Sequence, residues 1–363
     1  MRFATLLTII CAILCLGCPS AGDPSLPEPP TSEGSTIEPI EVLVDRTLEQ
    51  NLRDRTLSSL THGAWQILHG VLAYGDRFLI ETPEGEQAAI PYLLQGKTVQ
   101  GFEPIRGDRL GNPERPGLRM AMQPSTKVGQ GHRDQWLAVL SQSGLSLDTE
   151  LKTETHTFTM EDWMRQVEYD VPRNLELEFS WTLIALTQYR ETNHQWIGRD
   201  RVTYSTEQLL ASELQQSIPA SVCGGTHRLI GIAMSLAKRR SEDRPVTGVW
   251  AQAEAQLTEF IEVARRNQNP DGSYGVDYLH RPGWARDLGE SLGTTGHVLE
   301  FLALAAPDRV LTEPWVERTA RRLCGILAEC EGIDLECGVL YHALHGLQEY
   351  RARLATIAQR DGE

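Results

Sequence analysis

Two kinds of apolar segment alternate along this chain, and the alternation narrows the fold more than any motif does. Residues 65–74, 136–140, 176–189, 229–236, 298–304 and 337–350 are apolar nearly all round. Residues 40–57, 160–167, 207–216, 250–265 and 313–327 instead repeat their apolar side chains at intervals of three and four, so one helix face can be buried while the other stays wet. Helices of the first kind must be enclosed, and helices of the second kind are suited to enclosing them. The pattern predicts an all-α fold over residues 40–354, an α/α toroid whose inner helices run parallel inside an outer ring. An irregular helical bundle is the structural alternative. Residues 76–130 break the pattern with many Gly and Pro. Two short extended runs within 77–94, turning at Pro83, Glu84 and Gly85, predict a small β-hairpin insertion, either a flap over one end of the barrel or plain surface cover. Residues 355–363 read as a tail.

The start of the chain speaks to location. Arg2 precedes an apolar run over residues 3–16 that is too short to span a bilayer permanently, which predicts a signal peptide over residues 1–17. The run ends in Leu14, Cys15, Leu16, Gly17, Cys18, which resembles a lipobox. That resemblance implies cleavage before Cys18 and lipidation of its thiol with an acyl chain such as palmitate. Residues 18–39, rich in Pro, Ser, Gly and Glu, then form a flexible tether. The expectation is a lipoprotein of the cell envelope held at a membrane by Cys18. Pro19, in place of Asp, favours the outer membrane over the inner. The formal charge of -15 argues against nucleic acid and anionic headgroups as partners and leaves room for a neutral, cationic or apolar one. Beyond Cys18 the chain holds Cys223, Cys324, Cys330 and Cys337, too few for a disulfide framework, although two of the last three could close a bridge near Gly332.

Residues 260–275 carry Phe260, Gln268, Asp271, Gly272, Ser273, Tyr274 and Gly275. This stretch resembles the repeat motif of the prenyltransferase and squalene cyclase superfamily, with Tyr274 where a Trp is usual. The resemblance implies an α/α toroid in which Asp271 and Gly272 make the turn after an outer helix while Gln268 and Tyr274 tie that turn to its neighbours. It covers residues 219–347 best. The family's chemistry does not follow, because neither D-x-D-D nor D-D-x-x-D occurs in the chain.

Four histidines, His62, His132, His227 and His297, each follow a small or polar residue and precede an apolar run. With inner helices parallel, all four fall at one rim, among helix N-termini that attract anions and polarised oxygens. Capping of each helix by its own histidine is the structural alternative. Cys223, His227 and His297 add up to zinc-type ligands at that rim, and Cys223 with His227 could equally form a thiolate and base pair. Asp287 and Glu290, with Asp277, Tyr278, His280 and Trp284 nearby, offer carboxylates and aromatic surface for a glycan hydrolase or lyase. Thr226 stands where an internal thioester needs Gln, and Pro91 where a phosphate loop needs its first Gly, so neither is present. The leading expectation is an exported protein that binds a ligand or envelope partner at its histidine-bearing rim, and the alternative is a glycan-active enzyme.

Overall fold

A computed structural model describes residues 38–362. The expected signal peptide, Cys18 and nearly all of the tether lie outside the described residues. Within them the chain is mostly helical, with short strands. The elements in order are α1 (Ile40–Asp54), β1 (Leu57–Ser58), α2 (Ala64–Tyr74), β2 (Leu79–Thr82), β3 (Gly85–Ala88), α3 (Ala89–Leu94), β4 (Pro104–Leu110) and β5 (Arg115–Met120). Then come α4 (Gln135–Ser141), β6 (Glu150–Lys152), β7 (Thr157–Thr159), α5 (Met160–Asp170), α6 (Ser180–Tyr189), β8 (Gln195–Ile197), β9 (Thr203–Ser205) and α7 (Thr206–Leu214). The last are α8 (Thr226–Ser241), α9 (Val249–Asn267), α10 (Leu288–Ala305), α11 (Asp308–Leu311), α12 (Pro314–Glu329) and α13 (Cys337–Asp361). Among the described residues no helix is long and apolar enough to cross a membrane.

The two segment types separate as their patterns require. Every residue of α4 is buried, and so is α6 from Ser180 to Thr187, whereas α9 buries only Trp250, Ala253, Leu257, Ile261 and Ala264 along one stripe. The enclosed helices touch in succession: α2 packs on α4, α4 on α6, α6 on α8, α8 on α10, α10 on α13, and α13 returns to α2. The one-faced helices lie against them, α5 on α4 and α6, α9 on α8, α12 on α10, and α1 on α12 and α13.

Glycines set how closely these helices meet. A Cβ on Gly296 would stand 2.7 Å from Ala343, one on Gly293 2.8 Å from Val339, and one on Gly346 2.8 Å from the Glu300 amide, so α10 and α13 cross almost backbone to backbone. A Cβ on Gly231 of α8 would come 2.8 Å from the Ser180 carbonyl of α6.

Hairpins recur at one step of the chain. β2 pairs with β3 between α2 and α3, β6 with β7 between α4 and α5, and β8 with β9 between α6 and α7. Each links an enclosed helix to the helix that follows it, and α3, after the first, is itself buried at every position but Pro91. Thr159 ends the second hairpin and caps α5 by accepting the Asp162 amide, and Ser205 does the same for α7 with Gln208.

Three expectations change. The hairpin within 77–94 is present, but Ala89–Leu94 closes it as a helix, and a second hairpin, β4 with β5, fills the rest of the insertion. Residues 355–361 continue α13 and form no separate tail. Cys324, Cys330 and Cys337 are buried free thiols, so no bridge closes near Gly332.

Candidate metal centre

The loops that lead into the enclosed helices meet at one end of the molecule. A Cβ on Gly224, before α8, would touch Tyr278, before α10, at 2.5 Å. Lys127, before α4, pairs with Glu336, before α13, at 3.4 Å, and the Val128 carbonyl accepts the Trp65 amide of α2 at 2.8 Å.

At this end the chain enters α8 through a left-handed stretch. Cys223 (φ +51°), Gly224 (φ +62°) and Gly225 (φ +78°) follow one another, and Cys223 is the one residue of the three for which this conformation is unfavourable. The turn sets Sγ of Cys223, a ring nitrogen of His227 and a ring nitrogen of His297 within 4.8 Å of one another. A tetrahedral zinc ion would hold such atoms roughly 3.3–3.6 Å apart.

The three side chains are prepared differently. His227 is buried, and neither of its ring nitrogens has a hydrogen-bond partner. Burial, then the neighbouring His342, His297 and His132, hold its imidazolium far below the ordinary range, so the ring is neutral. His297 sends Nδ1 to the Gly293 carbonyl at 2.7 Å, which fixes that nitrogen as donor and turns Nε2, also without a partner, toward the cluster. Burial disfavours its charge, but Cys223, Glu300 and the Gly293 carbonyl outweigh burial and lift His297 to about 9. A metal held by Cys223, His227 and His297 would have to displace that proton. Cys223 itself is half-buried.

A further set of buried side chains stands behind this triad. Glu300, on α10 one turn beyond His297, accepts from Nδ1 of His342 at 2.9 Å and Nδ1 of His345 at 2.6 Å. Burial opposes its charge, yet the two imidazoles hold the Glu300 carboxyl well below the usual carboxylate range. His345, disfavoured by burial but bonded to Glu300 and facing Glu349, is raised to about 10. The pair is therefore a carboxylate and an imidazolium. His342 is pulled down by burial despite Glu300, and its ring lies 4.3 Å from that of His297 and 5.1 Å from that of His227. His69, inside α2, sits 5.3 Å from His342. On the opposite flank of His227, Nδ1 of His132 bonds Glu178 at 3.0 Å, and the His132 and His227 rings are 5.8 Å apart.

Of the four histidines that precede apolar runs, His132, His227 and His297 come together. His62 does not: its Nδ1 accepts the Ser58 amide at 3.0 Å, and it faces a cleft of about 560 Å³ between α1 and the loop before α13. His297 is also not at a helix start, because α10 begins nine residues earlier at Leu288. The reason is a cap: Asp287 accepts the Glu290 amide at 2.8 Å, while Glu290 takes the Arg286 amide and guanidinium. Asp287 and Glu290 are thus occupied in starting a helix, and Asp277 pairs with Arg281 at 2.5 Å. The space between the enclosed helices beside His227 is about 10 Å³, room for roughly one water, and Trp136 and Trp181 are buried within the core.

Of the expected aromatic surface, Tyr278 alone joins the cluster, its ring 5.9 Å from His297, whereas Trp284 is exposed. His69, Glu178, Glu300, His342 and His345 enter without having been expected. The i, i+3 pair His342 and His345 in an otherwise apolar helix, and Glu300 three residues after His297, are the sequence signals that point to them.

The repeat motif residues are architectural. Gly272 has φ +94°, Asp271 accepts the Ser273 amide at 3.0 Å, Gln268 donates to the Trp315 carbonyl and Thr319, and buried Tyr274 sends its amide to Thr295. They fasten the loop between α9 and α10 to α12. No family model, curated protein or solved structure matches this chain.

Proposed function

We propose that Cys223, His227 and His297 hold a zinc-type metal ion with one coordination position left open for a ligand, in an exported, lipid-anchored protein of the α/α-toroid type. One observation carries the metal: two buried imidazoles offer three unpartnered nitrogens beside a thiol. Unpaired buried polar groups cost about 1–3 kcal/mol each, and one cation removes most of that cost. Three protein ligands with soft and borderline donors match a zinc site that takes a water, an anion or a polarised carbonyl in its fourth position. His297 carries the orienting bond to a backbone carbonyl that metal-bound imidazoles use.

The toroid reading is supported by the closed succession α2, α4, α6, α8, α10, α13 and by the one-faced helices outside it. It is of the prenyltransferase and squalene cyclase-like kind by the motif at Gln268–Tyr274, without that superfamily's aspartate chemistry. Export and anchoring are supported by the lipobox-like residues before Cys18.

Elemental analysis of the full-length protein tests the centre. Bound zinc in the wild type, with one ion per chain fewer in Cys223→Ser and in His297→Ala, supports it. Cobalt substitution should add a sulfur-to-metal absorption that Cys223→Ser abolishes. Metal-free protein that also fails to take up zinc or cobalt refutes the proposal. Fatty-acid labelling tests the anchor, and equal label in Cys18→Ser would sink it.

A further inference from the structure

We propose that His132, Glu178 and His227 form a second divalent-cation site, and that the His227 ring bridges it to the first. Both ring nitrogens of one buried side chain lack a partner, one as an N–H donor and the other as a lone-pair acceptor. His227 is 6 % exposed and neither ring nitrogen has a partner. An ion held with Cys223 and His297 satisfies one nitrogen and leaves the other stranded in a dry interior.

A second set of ligand atoms converges on the same ring. One ring nitrogen of His132, one carboxylate oxygen of Glu178 and one ring nitrogen of His227 lie within 4.8 Å of one another. The two sets share only His227 and come from different directions. His297 belongs to α10, which packs on one side of α8, while Glu178 immediately precedes α6, which packs on the other. An imidazole at the start of α8 therefore has a pair of donors on each flank. An ion lying in the ring plane on either side uses both nitrogens, the second ion displacing the remaining N–H proton to water in the adjoining cleft so that the bridge is an imidazolate, which a single ion cannot form.

The second set is chemically distinct from the first. Two imidazoles and a carboxylate, without sulfur, suit zinc or another first-row divalent cation with several open positions. Glu178 uses one oxygen on His132 and keeps the other free for an ion. Access is built in as well: Glu178 and His227 both line a surface cleft of about 330 Å³, which gives a cation and its waters a path from solvent. His132 and Glu178 are half-buried, as befits the outer of two ions. An imidazole bridge also keeps two ions farther apart than the roughly 3.5–4 Å of closely bridged pairs, which eases their repulsion in a site with few acidic ligands.

The proposal depends on the first site only through His227, so the two can fail separately. Full-length protein stripped with chelator is titrated with zinc, and bound metal is counted by elemental analysis. Two ions per chain are expected in the wild type, one in Glu178→Gln, one in Cys223→Ser, and at least a tenfold weakening of both in His227→Ala. Refilled with cobalt, the wild type should show magnetic coupling by electron paramagnetic resonance, and Glu178→Gln should not. His132→Gln, at a half-exposed position, repeats the loss of one ion if Glu178→Gln does not fold. One ion in the wild type, unaffected by Glu178→Gln but lost in Cys223→Ser, overturns the second site and leaves the first standing. Two ions that survive His227→Ala overturn the bridge, and no metal in any form overturns both sites.

Discussion

Replacing His69 with Leu should change how stability depends on pH, not only its level. His69 is buried in α2, its Nδ1 donates to the Trp65 carbonyl, and its ring lies 4.1 Å from that of Trp65. Burial first, and then the neighbouring His342, lower its pKa from the ordinary 6.5 to about 3. The folded chain keeps this ring neutral while the unfolded chain takes up a proton near pH 6.5. The unfolded state therefore binds more protons, and stability is lost as pH falls below about 6.5 until it passes the folded value near 3. Between pH 7 and pH 5 that uptake amounts to about 2 kcal/mol for a single buried histidine.

At pH 7 the substitution loses one hydrogen bond and a ring contact, about 1–2 kcal/mol. At pH 5 the wild type carries the extra 2 kcal/mol and the variant does not, so the difference between them should vanish or change sign. His227, lowered for similar reasons, and His297 and His345, raised to about 9 and about 10, titrate in both proteins and largely cancel in the comparison. Urea unfolding of wild type and His69→Leu at both pH values reads the effect directly. A difference that stays the same within a few tenths of a kcal/mol would refute the reasoning and mean that His69 is not held neutral.

Three further outcomes test the frame around the cluster. Gly272→Val should destabilise the fold by about 1 kcal/mol or more, because φ is +94° and a Cβ there would stand 2.4 Å from the Arg318 carbonyl; a thermal melt measures it. Gly296→Leu should cost about 1–3 kcal/mol by forcing α10 away from Ala343 and should also disturb the His342–Glu300 bond, visible in the histidine resonances of a nuclear magnetic resonance spectrum. Asp287→Ala should cost about 1 kcal/mol through loss of a helix cap and leave zinc content unchanged, which separates a capping role from a chemical one.

The helical part of the fold was legible because burial writes itself into periodicity. Stripes at three and four marked α1, α5, α9 and α12 within a few residues, and all-round apolar runs marked the enclosed helices. Periodicity is silent where small polar residues replace apolar ones. Ser291, Thr294 and Thr295 hide the first half of α10, and Gly293 and Gly296 look like loop residues although they are there to let α13 come close. The same substitution hid half of the cluster. Glu300, His342 and His345 lie inside helices whose surroundings are apolar, and their partnership across 42 and 45 residues exists only because that close crossing brings the two backbones together. Cys223, His227 and His297 were legible as ligand types, but their convergence depends on a left-handed turn at Cys223 that no local pattern announces.

These observations share a physical consequence. A set of enclosed helices has little access to water, so each polar side chain placed among them must find a partner among its neighbours or weaken the fold. In this protein the demand is met on one side, where Glu300 holds two imidazoles, and is unmet at His227 and His297 Nε2. Other buried polar atoms without a partner lie elsewhere in the core, on Trp136, Tyr274 and Tyr341 among others, but those of His227 and His297 stand beside one another and beside a thiol held on an unfavourable backbone turn. Packing alone gives no reason to concentrate strain, unpaired nitrogens and a sulfur within a few ångströms, because apolar residues of similar size would fill the same space at lower cost. A bound cation would give such a reason: it would use the nitrogens as ligands, displace the proton that Cys223 helps hold on His297, and make this part of the core a site whose occupancy strengthens the fold.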